Sequence, residues 1–204
     1  MKRTVLTATA ALALLLGGCA TTIRSDVTTF HQWPAQLPEK TYVFDAPPPH
    51  GDTLEYRSYQ NLVRAQLSKL GFQEAAGAPA LQVAMRYKTI DVPVRVVQAI
   101  DPFYYPGSYS YGPFRHRGYW GGGFYDPFWG PRYQMVERHV YQRDLQVAIR
   151  SARDGKPLFD VTVHNNSSEA STPAMMPALV QSAFEGFPGP NGVARRIELK
   201  QKNG

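Results

Sequence analysis

The side chains able to do chemistry are scattered along the chain. Five histidines, His31, His50, His116, His139 and His164, fall one to a segment, and no His-Glu-x-x-His sequence places two on one helical face, so spacing supplies no metal ligand pair. Asp101 and Asp126 each open a similar phrase, Asp-Pro-Phe-Tyr-Tyr-Pro-Gly and Asp-Pro-Phe-Trp-Gly-Pro. Paired carboxylates flanking an aromatic cleft would suit glycoside hydrolysis. An Asp before Pro more commonly accepts backbone amides and shapes a turn, and two such turns would fold the two ends of one insertion alike. Gly107-Ser-Tyr-Ser-Tyr-Gly112 lacks the Gly-x-Ser-x-Gly elbow of a serine nucleophile, and Gly121-Gly-Gly123 lacks the Lys and Ser/Thr that complete a phosphate loop. These residues give no catalytic, metal or cofactor signature, and an envelope hydrolase is the weakest of the functional readings.

One residue stands apart. Lys2 and Arg3 form a short positive region, Val5 to Leu16 an apolar run, and Leu16-Gly17-Gly18-Cys19 follows directly. The run is shorter than the ~20 residues a stable transmembrane helix needs. The segment resembles the bacterial lipoprotein signal, which implies that the Cys19 thiol receives a diacylglycerol, that residues 1–18 are cut away, and that an amide-linked acyl chain such as palmitate follows. Two or more chains anchor durably where one binds only marginally. Similar lipoproteins with Asp at the next position tend to stay at the inner membrane; Ala20 points to the outer membrane of a two-membrane bacterium, facing the periplasm.

Cys19 is the only cysteine, so once it is lipidated no thiol remains for a disulfide, a nucleophile or a metal site. Stability then rests on a hydrophobic core, for which the 186 residues from Cys19 onward suffice as one domain. Without Lys2 and Arg3 the formal charge falls from +6 to +4. No Lys/Arg run of the kind nucleic acids prefer is present, so nucleic acid is not an expected partner.

The most unusual composition lies between residues 98 and 132. Residues 101–131 hold twelve aromatic rings in thirty-one positions, set among Gly and Pro. Connections beyond about 12–15 residues are uncommon inside a compact domain, and disordered linkers are depleted in rings. Three readings stay open. The rings bury themselves over the domain as a satellite cluster, they are presented to a protein, wall glycan or lipid headgroup, or the segment is low-complexity filler. Tyr104, Tyr111, Arg115, Arg117, Trp120 and Trp129 are the candidate partner-binding residues, the two arginines adding charge and cation–π capacity.

The elements that would position these residues follow from periodicity. Residues 19–38 read as the lipidated Cys and a polar tether running into a first strand. Thr41–Asp45 has strand composition and is stopped by Ala-Pro-Pro-Pro-His-Gly. Asp52, with Glu55 three residues on, predicts a capped helix with Tyr59, Leu62, Val63, Gln66, Leu67 and Leu70 on one stripe and Gly71 as its left-handed terminator. Leu81, Val83, Met85 and Tyr87 alternate as one face of a strand, and that alternation decays towards Pro93. From Tyr133, residues Met135 to Ile149 share a parity, with Leu145, Val147 and Ile149 as the firm core positions. Asp154-Gly155 turns the chain into a returning strand with Phe159, Val161 and Val163 inward, and Asn165-Asn-Ser-Ser reads as a loop. A helix starts near Ser171-Thr-Pro or Met176-Pro, and Val193–Leu199 is an edge strand or a tail. The order predicts an α+β domain over 39–200: a single mainly antiparallel sheet, two helices packed on one face, and a long Gly/aromatic-rich insertion at 98–132.

The lipoprotein signal, Tyr42-Val-Phe44 leading into a helix that ends Leu70-Gly-Phe72, the Leu81-Val83-Met85 strand, the Gly/Tyr/Trp-rich middle, the Asp-Gly hairpin and the final helix with Met and Phe together resemble the uncharacterised bacterial lipoproteins of the DUF4136 type, over about residues 22–187. The resemblance implies an envelope lipoprotein with a small α+β domain and supplies no substrate or catalytic residue. The expected function is a lipid-anchored, non-enzymatic interaction or structural domain, with no cofactor. Its expected partners are the membrane, through the lipid on Cys19, and an envelope protein or cell-wall glycan. A glycan- or lipid-binding module built on the aromatic insertion is the alternative.

Overall fold

The computed structural model describes residues 20–34, 37, 39–49, 51–100 and 132–202. Strands β1 (Ala20–His31), β2 (Thr41–Phe44), β3 (Gln73–Glu74), β4 (Leu81–Ile100), β5 (Arg132–Ser151), β6 (Pro157–Ser167) and β7 (Ala194–Lys202) form one sheet in the order β3-β2-β4-β5-β6-β1-β7. Helix α1 (Leu54–Lys69) joins β2 to β3, and helix α2 (Thr172–Phe184) joins β6 to β7.

The sheet is mixed, which corrects the expectation of a mainly antiparallel one. β5–β6, β6–β1 and β1–β7 pair antiparallel, whereas β2 pairs in parallel with both β3 and β4. The cause is α1: parallel neighbours need a crossover that carries the chain back along the sheet, and the helix after β2 provides it.

A second correction concerns residues 20–31. They are not part of a tether but form β1, held between β6 and β7. Its inward residues Ile23, Ser25, Val27 and Thr29 are all buried. Alternation was present in the sequence, but hydroxyl side chains occupy two of the four inward positions and hide it from a reading based on apolar residues.

The described chain divides into two compact units, one running up to Val92 and resuming at Val140, the other Pro93–His139. In the first, Tyr56, Tyr59, Val63 and Leu67 of α1 and Met176, Leu179, Val180 and Ala183 of α2 join the inward residues of β1, β4, β5 and β6 in one core. Gly155 turns β5 into β6 with φ 69°, as Asp154-Gly155 predicted. Asn165 and Asn166, expected in a loop, instead continue β6, and Asn165 is buried. The second unit contains the outer parts of β4 and β5, where Val97, Tyr133 and Met135 are exposed and Arg138 Nη2 donates to Gln98 Oε1 at 3.4 Å. The strands therefore take residues 98–100 and 132 from the expected insertion.

Helix α1 starts one residue later than the Asp52 cap implied. Thr53 Oγ1 accepts from the Tyr56 amide at 3.0 Å, while Asp52 binds the Arg57 guanidinium through two contacts of 2.7 Å. Gly71 follows at φ 83°, the left-handed position expected of it. Thr53→Ala should lower the unfolding free energy by about 1 kcal/mol in urea denaturation, and Asp52→Ala by clearly less, since an exposed ion pair contributes little. The reverse ranking would return the cap to Asp52.

Candidate functional site

At the end of the first unit where β1 begins, polar groups gather around a cleft. The β1–β6 ladder runs from His31↔Phe159 to Asp26↔His164 and stops there. β1 continues to Ala20 against β7 (Ala20↔Lys202), and β6 continues to Ser167 against β5 (Tyr141↔Ser167). The two strands part, and a cleft of about 610 Å³ opens between Thr21–Arg24 and residues 165–169, with Ala174 and Met175 of α2 also lining it. Asn165 reaches across, its Nδ2 donating to the Arg24 carbonyl at 2.8 Å. Its Oδ1 and the Ser25 hydroxyl are buried without a hydrogen-bond partner among the described residues.

Next to the cleft, on β5, the Arg143 side chain is buried, only 1% of the residue being exposed. Nε donates to Thr172 Oγ1 at 3.2 Å, Nη1 to Ser167 Oγ at 3.0 Å, and Nη2 to the Glu169 carbonyl. The guanidinium also lies 5.5 Å from the Tyr141 ring centroid. Burial lowers its pKa from the ordinary Arg value, and the nearby Glu169 carboxylate opposes that shift. These bonds tie β5 to the link before α2, and Thr172 Oγ1 in turn sits 3.0 Å from Thr89 Oγ1 of β4. Arg143 shares its parity with Leu145, Val147 and Ile149 in the sequence, but a charged side chain carries no sequence signal of burial. On the α1 side, Tyr59 stacks edge-on with Tyr87 at 4.9 Å and donates to Glu55 Oε1 at 2.7 Å. Burial first, then that carboxylate, push the Tyr59 phenol well above its ordinary pKa, so it serves as a donor and not as a base.

The face of the sheet away from the helices carries a row across four strands: Asp144 (β5), His164 (β6), Asp26 (β1) and Arg196 (β7). His164 Nδ1 and Asp144 Oδ1 are 2.6 Å apart, and Arg196 Nε donates to Asp26 Oδ1 at 2.9 Å, holding that carboxyl below its usual pKa. An Asp–His pair is half of a general-base arrangement. Here the row leads on to Asp26 and Arg196 rather than to a hydroxyl or thiol, so it is a ladder of exposed polar contacts closed by the Asp26–Arg196 ion pair. A second cleft, of about 440 Å³, lies at the start of α1 between Pro48, Thr53, Tyr56, Met85, Arg86 and Tyr87, where the Tyr56 hydroxyl donates to the Met85 carbonyl at 3.3 Å.

Cys19 and the six candidate partner-binding residues Tyr104, Tyr111, Arg115, Arg117, Trp120 and Trp129 lie outside the described residues, as do His50, His116, Asp101 and Asp126. Of the remaining histidines, His31 Nε2 contacts the Gly189 carbonyl at 3.1 Å and His164 Nδ1 contacts Asp144, so these two serve separate contacts, and His139 belongs to the second unit. Among the described residues no three His, Cys, Asp or Glu side chains are grouped to hold a metal ion, and no helix is long and apolar enough to cross a membrane.

Fold and cleft together define a small mixed-sheet domain with its helices on one face and a parting of two strands at the end where the chain enters. The protein belongs to the family described as a domain of unknown function (DUF4136), whose match covers residues 26–189, from within β1 to just beyond α2. No curated protein matches the sequence. The crystal structure of a PDZ domain protein from Parabacteroides distasonis is similar at 13% identity and a TM-score of 0.49, over 95% of this chain and 42% of that one. The chain thus spans less than half the length of that protein.

Proposed function

We propose that the protein is an outer-membrane lipoprotein held through acyl chains on Cys19, with a periplasm-facing domain that contacts another envelope component and catalyses no reaction. The observation that carries this reading is the junction of Leu16-Gly17-Gly18-Cys19 with β1, which starts at Ala20. A lipid on Cys19 would reach the fold through a single residue step of ~3.8 Å, so the anchor would hold the sheet against the bilayer with no slack. Metabolic labelling with radioactive palmitate tests it. Wild type should be marked and Cys19→Ser should not; equal labelling of both rejects the anchor.

A second reading assigns the contact to a long Gly/aromatic insertion between β4 and β5, acting as a glycan- or lipid-binding module through Tyr104, Tyr111, Arg115, Arg117, Trp120 and Trp129. Its support is the density of rings in residues 101–131 and the exposed Val97, Tyr133 and Met135 on the strands that flank them. Crosslinking in intact cells should recover a partner that is lost when residues 103–129 are excised. An unchanged profile from a truncated protein that still folds rules against that surface.

A further inference from the structure

We propose that the cleft between β1 and β6 is a docking site for an extended polypeptide segment, which enters it as a short added strand. The proposal rests on the reading of the domain as an interaction module and names the site and the class of partner.

Along a strand, the N–H and C=O of one residue point to the same side and those of the next to the other. In β1 the even positions face β6: the Gln32 amide donates to the Leu158 carbonyl at 2.9 Å, and the Arg24 carbonyl accepts from Asn165. The odd positions face β7, where the Thr29 carbonyl accepts from the Gly192 amide at 2.7 Å. Thr22 and Arg24 therefore direct main-chain groups into the cleft. Asn166, in phase with His164, directs its own from the opposite wall. An open strand edge is a template for another strand, and here two such edges face each other.

The buried side chains make the same demand. Asn165 lines the cleft, is 2% exposed and has no partner for its Oδ1 among the described residues, and the Ser25 hydroxyl in the next strand is likewise unpartnered. A buried acceptor without a donor is left with its desolvation uncompensated, and a peptide N–H supplies that donor. The wall Thr21–Arg24 accommodates about four extended residues at ~3.3 Å each. Arg24 and Glu169 put one charge of each sign in the lining, so selection falls on main-chain geometry rather than on net charge.

The test uses the full-length lipoprotein in detergent micelles and a blocked heptapeptide of alternating Thr and Val, compared with the same peptide N-methylated at every second residue. The unmodified peptide should bind saturably and slow amide hydrogen exchange at the cleft-facing Thr22, Arg24 and Asn166. N-methylation should weaken binding by about 10-fold or more, as should Asn165→Ala. Because Asn165→Ala also deletes the bond to the Arg24 carbonyl, Thr22→Pro serves as a second variant. It removes a cleft-facing N–H and leaves the β7 pairing in place, so it should bind about 10-fold more weakly while melting like wild type. No saturable binding at millimolar peptide, equal binding of both peptides, or protection confined to other residues overturns the proposal. If peptide binding fails while in-cell crosslinks of the anchored protein persist in Thr22→Pro, the cleft is rejected and the interaction reading stands. Absence of any crosslink from wild type rejects the interaction reading itself.

Discussion

Phe159→Ala should lower the unfolding free energy by about 3–5 kcal/mol, the range for deleting a fully buried aromatic side chain. Phe159 lies on β6, is 2% exposed, and meets three other rings: Phe187 at 4.7 Å, Trp33 at 6.3 Å and Phe184 at 6.4 Å. Trp33 in turn sits 5.0 Å from Phe187 and 5.9 Å from Phe72. Five rings thus join the segment after β1, the link from α1 to β3, strand β6, helix α2 and the turn that follows it. Two effects add in the variant. The lost transfer energy of the ring is about 1.5–3 kcal/mol, and the void it leaves adds to that because rings held by four separate segments cannot all close inward. Against a typical domain stability of about 5–15 kcal/mol, the loss is large enough to read directly from the urea midpoint. Phe159→Leu, which keeps part of the volume, should cost less. A loss below about 1 kcal/mol for Phe159→Ala would mean that the cluster is a surface patch and not a core.

The sequence disclosed those elements whose inward residues are apolar. α1 was legible from its stripe and from Gly71, with the cap displaced by one residue because Asp52 and Thr53 are both competent caps and only the structure assigns Asp52 to Arg57. β6 was legible as far as Val163 and lost at Asn165, since a buried Asn in a strand looks like loop chemistry until its amide is seen to bridge to Arg24. β1 was hidden by Ser25 and Thr29. The parallel pairing of β2 with β3 and β4 is a property of where α1 delivers the chain, and a strand's composition does not carry it. The cleft is less legible still: it arises where one ladder stops while its two strands run on, and no residue type marks such a place.

Arg143→Ala should also be strongly destabilising, by about 2–5 kcal/mol through the cavity and an orphaned buried carbonyl, and Arg143→Met only by about 1–2. The reasoning turns on what the guanidinium touches. Its three hydrogen bonds go to neutral acceptors, Thr172 Oγ1, Ser167 Oγ and the Glu169 carbonyl. The wild type therefore bears the desolvation of a buried cation with no carboxylate among the described residues in direct contact, and either substitution removes that cost. Alanine adds a cavity beneath the start of α2 and leaves the Glu169 carbonyl without its donor. Methionine fills most of the space, so its remaining deficit measures the lost hydrogen bonds alone; the two hydroxyls can rotate to other partners, whereas the carbonyl cannot. Arg143→Lys keeps the charge but offers a point donor where a fork is needed, and should fall nearer to alanine than to methionine. Urea denaturation gives the ranking, and amide exchange across residues 167–172 should quicken in all three variants. If methionine proved as damaging as alanine, packing would be the minor part and the hydrogen-bonded tie between β5 and the start of α2 the major one. If all three were neutral, Arg143 would not hold that end of the sheet together.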